Sequence, residues 1–299
     1  MHARLLFLVS AFLFTSQPAA VFANTDCKAA PAKCVEVGKW QLNVAAGAGV
    51  RTNPILGGKD IPLVVLPELS YSGKRFFIQN LDLGYTVWEN PDHQLNLLIT
   101  PSLEQVYFHR WSPGNFVLDS NVVFAGRPGL VDSKDENSGG NFDSTRIEID
   151  MSRLHKRRMA ALGGLEYSVA INDWTLQAQW LTDISGVHEG EEARFAVARH
   201  YYRDRHSLSV SLGASWQSAE LINYYYGILR DEVTLADHAY STDAGISTIA
   251  RLDWGYSIND RWSLRFTGIY RQLADEIHLS PIVTEDEVIT AFIGGVYHF

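Results

Sequence analysis

The sequence predicts an all-β protein: an antiparallel transmembrane β-barrel, most consistent with 12 strands and with 10 as the runner-up. Three observations point there: an amino-terminal export signal, period-two alternation from residue 40 to the last residue, and an aromatic carboxy-terminal residue.

The export signal comes first along the chain. A short basic region with His2 and Arg4 precedes an apolar run over 5–14, followed by Val21-Phe22-Ala23. That is the layout of a secretory signal cut after Ala23, giving a signal peptide over 1–23. The apolar run is half the length that a membrane-spanning helix needs, about 20 residues, so it does not read as an anchor. The signal carries Arg4 and no acidic residue, so the 25 basic residues become 24 against 34 acidic ones. A chain this acidic is a poor binder of nucleic acid.

Two cysteines, Cys27 and Cys34, fall in the segment 24–37 ahead of the first strand. In an oxidising compartment the pair reads as a disulfide closing a small periplasmic loop. Lipid modification of Cys27 is the rival, and Asn24-Thr25-Asp26 lacks the leucine and small residues that such a signal carries.

The rest, 38–299, reads as the barrel. No downstream segment approaches 18 continuous apolar residues, which excludes a helical membrane protein. In 39–51, Trp40, Leu42, Val44, Ala46, Ala48 and Val50 form one face; 173–185 and 206–217 repeat the pattern with Trp174, Leu176, Trp180 and with Leu208, Val210, Leu212. In 244–257 and 261–272 the polar face carries Arg251, Asp253, Arg265 and Arg271, which are expected to point into the lumen. A soluble sandwich would alternate as well. Strands of ten to thirteen residues, Trp and Tyr near strand ends, and the terminal strand 287–299 with Tyr297 and Phe299 favour the membrane barrel. The aromatic ending looks like the terminal signature that outer-membrane assembly machinery reads.

Parity sets the strand count, because both termini of such a barrel face the periplasm, turns there are short and outer loops are long. Segments near 39–51, 61–71, 75–88, 94–109, 159–170, 173–185, 190–201, 206–217, 244–257, 261–272 and 287–299 make eleven. The imperfectly alternating 115–125 is the expected twelfth. The run 132–141 reads as a solvated outer loop.

Candidate chemistry is sparse. His200, Asp204, His206 and Ser207 sit near one turn, but adjacent residues on a strand face opposite ways, so they read as turn residues and not as a hydrolase triad. His188 with Glu189, Glu191 and Glu192 reads as a solvated acidic loop. Arg157-Arg158 is expected to sit in water at a strand mouth, with lipopolysaccharide phosphates or acidic partners as the alternative contacts. Tyr224-Tyr225-Tyr226 reads equally as a recognition patch or as a loop folding into the mouth. No catalytic residue, metal site or cofactor is expected. On facing alone, Leu264→Arg should cost about 2–4 kcal/mol against lipid, and Thr267→Arg on the lumen face should be tolerated better.

Several ordered motifs match a known family. They are Trp40 with Gly47-Ala48-Gly49, Pro54 and Gly57-Gly58, Pro67-Glu68-Leu69-Ser70-Tyr71-Ser72-Gly73-Lys74-Arg75-Phe76-Phe77, and the loop Asn223-Tyr224-Tyr225-Tyr226-Gly227. Tyr240, Ala244 and Gly245, Arg261-Trp262, Ser280-Pro281-Ile282-Val283 and Gly294-Gly295-Val296-Tyr297-His298-Phe299 continue them. In these the chain resembles the MipA/OmpV family of outer-membrane proteins. It departs most over 110–158 and at Ile55-Leu56. The resemblance implies residence in the cell outer membrane, in contact with its lipid, and a non-catalytic scaffold role linking a murein lytic transglycosylase to a murein synthase. A small-solute channel, a surface antigen or adhesin, and, behind these, an outer-membrane lipid hydrolase are the alternatives.

Overall fold

The computed structural model describes residues 37–109, 112–116, 151–233 and 238–299. The expected signal peptide, Cys27, Cys34, the loop 132–141 and nearly all of 115–125 lie outside the described residues.

Strands β1 (Trp40–Arg51), β2 (Ile61–Pro62), β3 (Val65–Ser72), β4 (Phe76–Gln79), β5 (Asp82–Glu89) and β6 (His93–Pro101) build the first half of the wall. Strands β7 (Ala161–Ile171), β8 (Trp174–Asp183), β9 (Glu191–Arg203), β10 (His206–Gln217), β11 (Gly245–Ser257), β12 (Trp262–Gln272) and β13 (Glu287–His298) build the second. Each pairs antiparallel with its neighbour, and β13 returns to pair with β1 from Asn43↔His298 to Arg51↔Thr290, closing the barrel. β2 and β3 form one stave along β1. Gly47 N–H donates to Val64 O at 2.9 Å and Leu63 N–H to Gly49 O at 2.9 Å across a bulge, at which the consecutive Val64 and Val65 both face outward. The wall therefore has twelve staves.

Closure requires glycine at the seam. A Cβ on Gly47 would stand 1.8 Å from the Ile293 carbonyl oxygen and 2.4 Å from Gly294 Cα, contacts with backbone that cannot move aside.

Twelve staves arise differently from the expected count. The segment 75–88, read as one strand, is a hairpin: Asn80 takes a left-handed φ of 55° and exchanges hydrogen bonds with Leu69, so β4 and β5 supply two staves. The barrel closes without 115–125, whose described residues belong to a 3-10 turn at Pro113–Phe116. The expected strand 94–109 ends at Pro101. Beyond it Leu103, Val106 and Tyr107 recur at helical and not strand spacing, in a 3-10 turn at Leu103–Tyr107.

Because β4 is short, the wall is low beside it. Among the described residues no strand covers 65–69 on the side of β3 away from β1. Leu69 turns its N–H and C=O toward Asn80, so Pro67, two residues away, faces the same open edge and offers no N–H there. Pro101 does the same on β6, since Ser102 N–H turns the other way, to Ala160 O. Prolines thus blunt both open edges against strand pairing.

Short turns join staves on one side: Asn172-Asp173 and Asp204-Arg205, whose first residues have φ of 56° and 53°. Loops of seven residues or more join them on the other, except at the Asn80 hairpin. Alternation sends Trp174, Trp180, Phe195, Val210, Leu212 and Leu252 outward. Aromatic pairs collect near the short-turn end, with Trp40 and Tyr71 centroids 4.9 Å apart, Trp262 and Tyr297 5.0 Å, and Tyr297 and Phe299 4.7 Å.

The facing expectation changes at both of its residues. Thr267 is fully buried and donates to Asp253 Oδ1 at 2.8 Å, so an arginine there breaks a packed interior. Leu264 is third from the short-turn end of β12, away from mid-wall. Leu212 lies mid-strand on β10 and 58 % exposed, so Leu212→Arg should cost about 2–4 kcal/mol and Leu264→Arg less, read as the midpoint of urea unfolding in bilayers.

Candidate functional site

Four outer loops fold together over the barrel mouth. In the loop after β10, helix α1 (Ala219–Tyr226) starts at Ser218, whose side chain accepts the Leu221 N–H. It buries Leu221, Ile222, Tyr225 and Tyr226 completely. Helix α2 (Asp275–His278), after β12, adds Ile277; with Ile282, Val283, Ile55 and Val106 these side chains form one apolar cluster. Fully burying each large apolar side chain contributes about 1.5–3 kcal/mol, so the loops have a core of their own.

The motif residues hold this cap together. Asn223 donates to Thr242 O at 2.7 Å and accepts from Thr242 N–H at 2.8 Å. Ser280 Oγ donates to Tyr226 O at 2.6 Å, Thr284 N–H to Pro54 O at 2.7 Å, and Gly227 N–H to Asn223 O at 3.0 Å. Pro281 continues from Ser280 into the segment that carries Ile282 and Val283. Tyr224 accepts from Arg158 N–H and Tyr225 donates to Arg158 O at 3.0 Å. Of the two readings open for the tyrosines, the structure shows the loop folded into the mouth.

Arg157 is likewise not a solvated cation. It is 5 % exposed, gives Nη1 and Nη2 to Glu232 at 2.9 and 3.3 Å, and gives Nη2 to Gly227 O at 2.8 Å. Buried arginine needs a matched carboxylate, and Glu232 comes from a distant loop that local sequence does not reveal. Burial opposes the Glu232 charge, but the hydrogen bonds from Arg157 and from the Leu229 and His155 N–H groups outweigh it and hold this carboxyl below its ordinary range.

Beneath the cap, Glu104 in the 3-10 turn after β6 meets three donors from three elements. Gln217 on β10 gives Nε2 at 2.9 Å, Arg271 on β12 gives Nη2 at 2.8 Å, and Tyr226 on α1 gives its hydroxyl. One carboxylate thus fastens the inner loop, α1 and two staves.

The other lumen charges are crosslinked in the same way. Arg251 meets Asp253 at 2.6 Å, Arg194 meets Glu192 at 2.7 Å, and Arg265 pairs with Glu68 on the far side of the closing seam. Arg251, Asp253, Arg265 and Arg271 all point inward. Glu192, read as part of an acidic loop, is inside the lumen and accepts Ser215 Oγ at 2.6 Å. His188 is buried in the cap, where desolvation lowers its pKa against the opposing charges of Asp183 and Glu192. Among the described residues no group of three or more His, Cys, Asp or Glu could hold a metal.

The turn residues do not converge either. Ser207 faces inward, whereas His206 faces outward and packs on Trp254 and Tyr256 at 5.7 and 4.9 Å; His200 lies 3.2 Å from Thr175. Sequence reasoning missed Glu104, Glu166 and Glu232, and it placed Glu192 in a loop when it belongs to the lumen. Spacing two apart on a lumen face, as in Glu192 and Arg194 or Arg251 and Asp253, is a signal that could have found one of these pairs. Nothing local marks Glu104.

A closed antiparallel barrel with an apolar outer face, aromatic bands, short turns at one end and loops at the other is an outer-membrane β-barrel. The family model described as "MltA-interacting protein MipA" matches residues 44–299, and the chain belongs to this family. It is 24 % identical over 271 residues to outer membrane protein OmpV of Vibrio cholerae, covering 88 % of this chain and 87 % of that one. It is also 24 % identical over 263 residues to the MltA-interacting protein of Escherichia coli K12, covering 88 % and 91 %. Relatives named as outer membrane proteins agree with the location that the barrel requires. Among solved structures, the NanC porin aligns at 8 % identity and a TM-score of 0.38, over 86 % of this chain and 99 % of that one.

Two outcomes follow from the cap. Glu104→Gln leaves Arg271 buried without its counter-charge and should cost about 3–5 kcal/mol, with Glu104→Gln/Arg271→Gln recovering part of it, measured as the urea midpoint of refolded barrel. Glu232 has a folded pKa below its ordinary 4.5, so its contribution is present above pH 4.5 and is lost as pH falls through the lower folded value. Near-ultraviolet circular dichroism of the cap tyrosines should therefore weaken on acidification below pH 4.5, and Glu232→Gln should show the weakened signal at neutral pH.

Proposed function

We propose that this barrel is a non-catalytic scaffold that holds murein-remodelling and murein-synthesising enzymes at the inner face of the outer membrane. The observation that carries the reading is the folded cap: outer loops with an apolar core of their own and a Glu104 latch suit a rigid membrane anchor better than an open solute path. The name of the Escherichia coli relative, MltA-interacting protein, supports a murein lytic transglycosylase as the partner class; a murein synthase as the second partner rests on the family resemblance alone. Ser209, His200 and Asp253 are cross-strand neighbours on the lumen face, but Ser209 Oγ has no hydrogen-bond partner among the described residues and His200 Nε2 lies against Thr175, which supports a non-catalytic reading.

On this reading the partner meets the short-turn end, since a barrel offers nothing else to the periplasm. Arg203 and Arg205 project there beside Asp204, with Arg205 Nη1 donating to Ile258 O at 3.1 Å. The segment 24–37, with Cys27 and Cys34 proposed as a disulfide, would extend the same surface. Arg203→Gln/Asp204→Asn/Arg205→Gln puts an asparagine, which tolerates this geometry as aspartate does, at the left-handed position and removes the charges. Capture of a murein lytic transglycosylase from detergent-solubilised envelopes should fall several-fold with this variant and stay unchanged when 133–140 is deleted. The reverse result would overturn the topology, and hydrolysis of lipid or murein by the purified barrel would remove the non-catalytic reading.

A further inference from the structure

The lumen carries a carboxylate that its ion pairs do not account for. Arg194, Arg251, Arg265 and Arg271 are each matched to an acidic side chain. Glu166, on β7, is 8 % exposed and has no salt bridge among the described residues. Its hydrogen bonds come from neutral amides: Asn96 Nδ2 at 2.9 Å to Oε1, and Gln177 and Gln179 Nε2 at 2.5 and 2.7 Å to Oε2.

An amide that gives its NH2 to Glu166 turns its own carbonyl oxygen elsewhere. Gln179 is 4 % exposed and its Oε1 has no partner; Asn96 Oδ1 is buried and likewise unmatched. Gln179 and Gln177 line a cavity of about 50 Å³, together with Glu104, Glu192, Arg194 and Arg271. The four charges on that lining cancel as Glu104 with Arg271 and Glu192 with Arg194. What remains is the negative charge of Glu166, one amide behind the lining, with the unmatched Gln179 Oε1 buried beside it. A buried carboxylate without a counter-charge is costly, and oxygen acceptors suit hard cations and ammonium groups.

We propose that the lumen binds a small monovalent cation, a metal ion or a primary ammonium group, against Gln179 in front of Glu166. A water-sized position needs about 10–15 Å³, so the cavity takes such an ion with part of its hydration shell. The site is independent of any periplasmic partner and adds a cation-dependent lumen to the scaffold reading.

Thermal unfolding of the purified barrel in detergent tests it, followed by the heat-modifiable gel shift at constant ionic strength. Potassium chloride or methylammonium chloride replaces tetramethylammonium chloride, whose cation is too bulky for the cavity and has no N–H. The wild-type midpoint should rise by about 2–4 °C with either small cation. The near-isosteric Glu166→Gln should lose that response, and Gln179→Met should weaken it while keeping the side-chain volume. A response to potassium alone identifies a metal ion, and one to methylammonium alone an ammonium ligand; both support the site. Equal responses in wild type and Glu166→Gln, or no wild-type difference between the small cations and tetramethylammonium, would overturn it. Should Glu166→Gln fail to fold, an undiminished response in Gln179→Met overturns the site by itself.

Discussion

The Glu104 carboxylate is the contact on which the rest of the mouth depends. It sits on a turn that belongs to no stave, yet Gln217, Arg271 and Tyr226 converge on it from β10, β12 and α1. A carboxylate buried this deeply is tolerable only when its acceptor sites are filled, one of them by a cation. Filling them fixes the inner loop against the wall and sets Tyr226 where the apolar cluster can close over it. The cap is thus anchored by charge from below and consolidated by apolar burial from above.

The same logic runs along the lumen. A barrel sends every second side chain inward, and this chain places Arg51, Arg194, Arg251, Arg265 and Arg271 there with carboxylates or amides in reach. Links between residues two apart on one strand stiffen a stave locally. The Arg265 link to Glu68 reaches across the seam made by β1 and β13, where Gly47 and Gly294 bring the backbones close. Polar crosslinks inside and apolar contact with lipid outside are the two halves of the wall's stability.

Much of this wall was legible in the residues. Alternation marked most staves to within a few positions, because a lipid-facing row must be apolar and a lumen-facing row need not be. The hairpin at Asn80 was not: its outward row shifts from even positions, Phe76 and Ile78, to odd ones, Leu83 and Tyr85, a change of phase too brief on either side to stand out within 75–88. The short stretch after Pro101 failed for the opposite reason: its apolar residues follow helical spacing over a run too brief to outweigh the strand pattern before it.

The residues alone dictate an all-β wall, which face of most staves meets lipid, where most of the short turns fall, and a last strand that closes with Tyr297 just ahead of Phe299. Those are properties of neighbours in the chain, and a period of two records them. The folded arrangement sets which carboxylate meets which arginine, buries Arg157, Tyr225 and Tyr226 away from water, and leaves Glu166 among amides. Those pairings join residues tens to hundreds of positions apart, and they exist because closing the sheet on itself brings distant staves and loops to one axis, a constraint that no local window of residues contains.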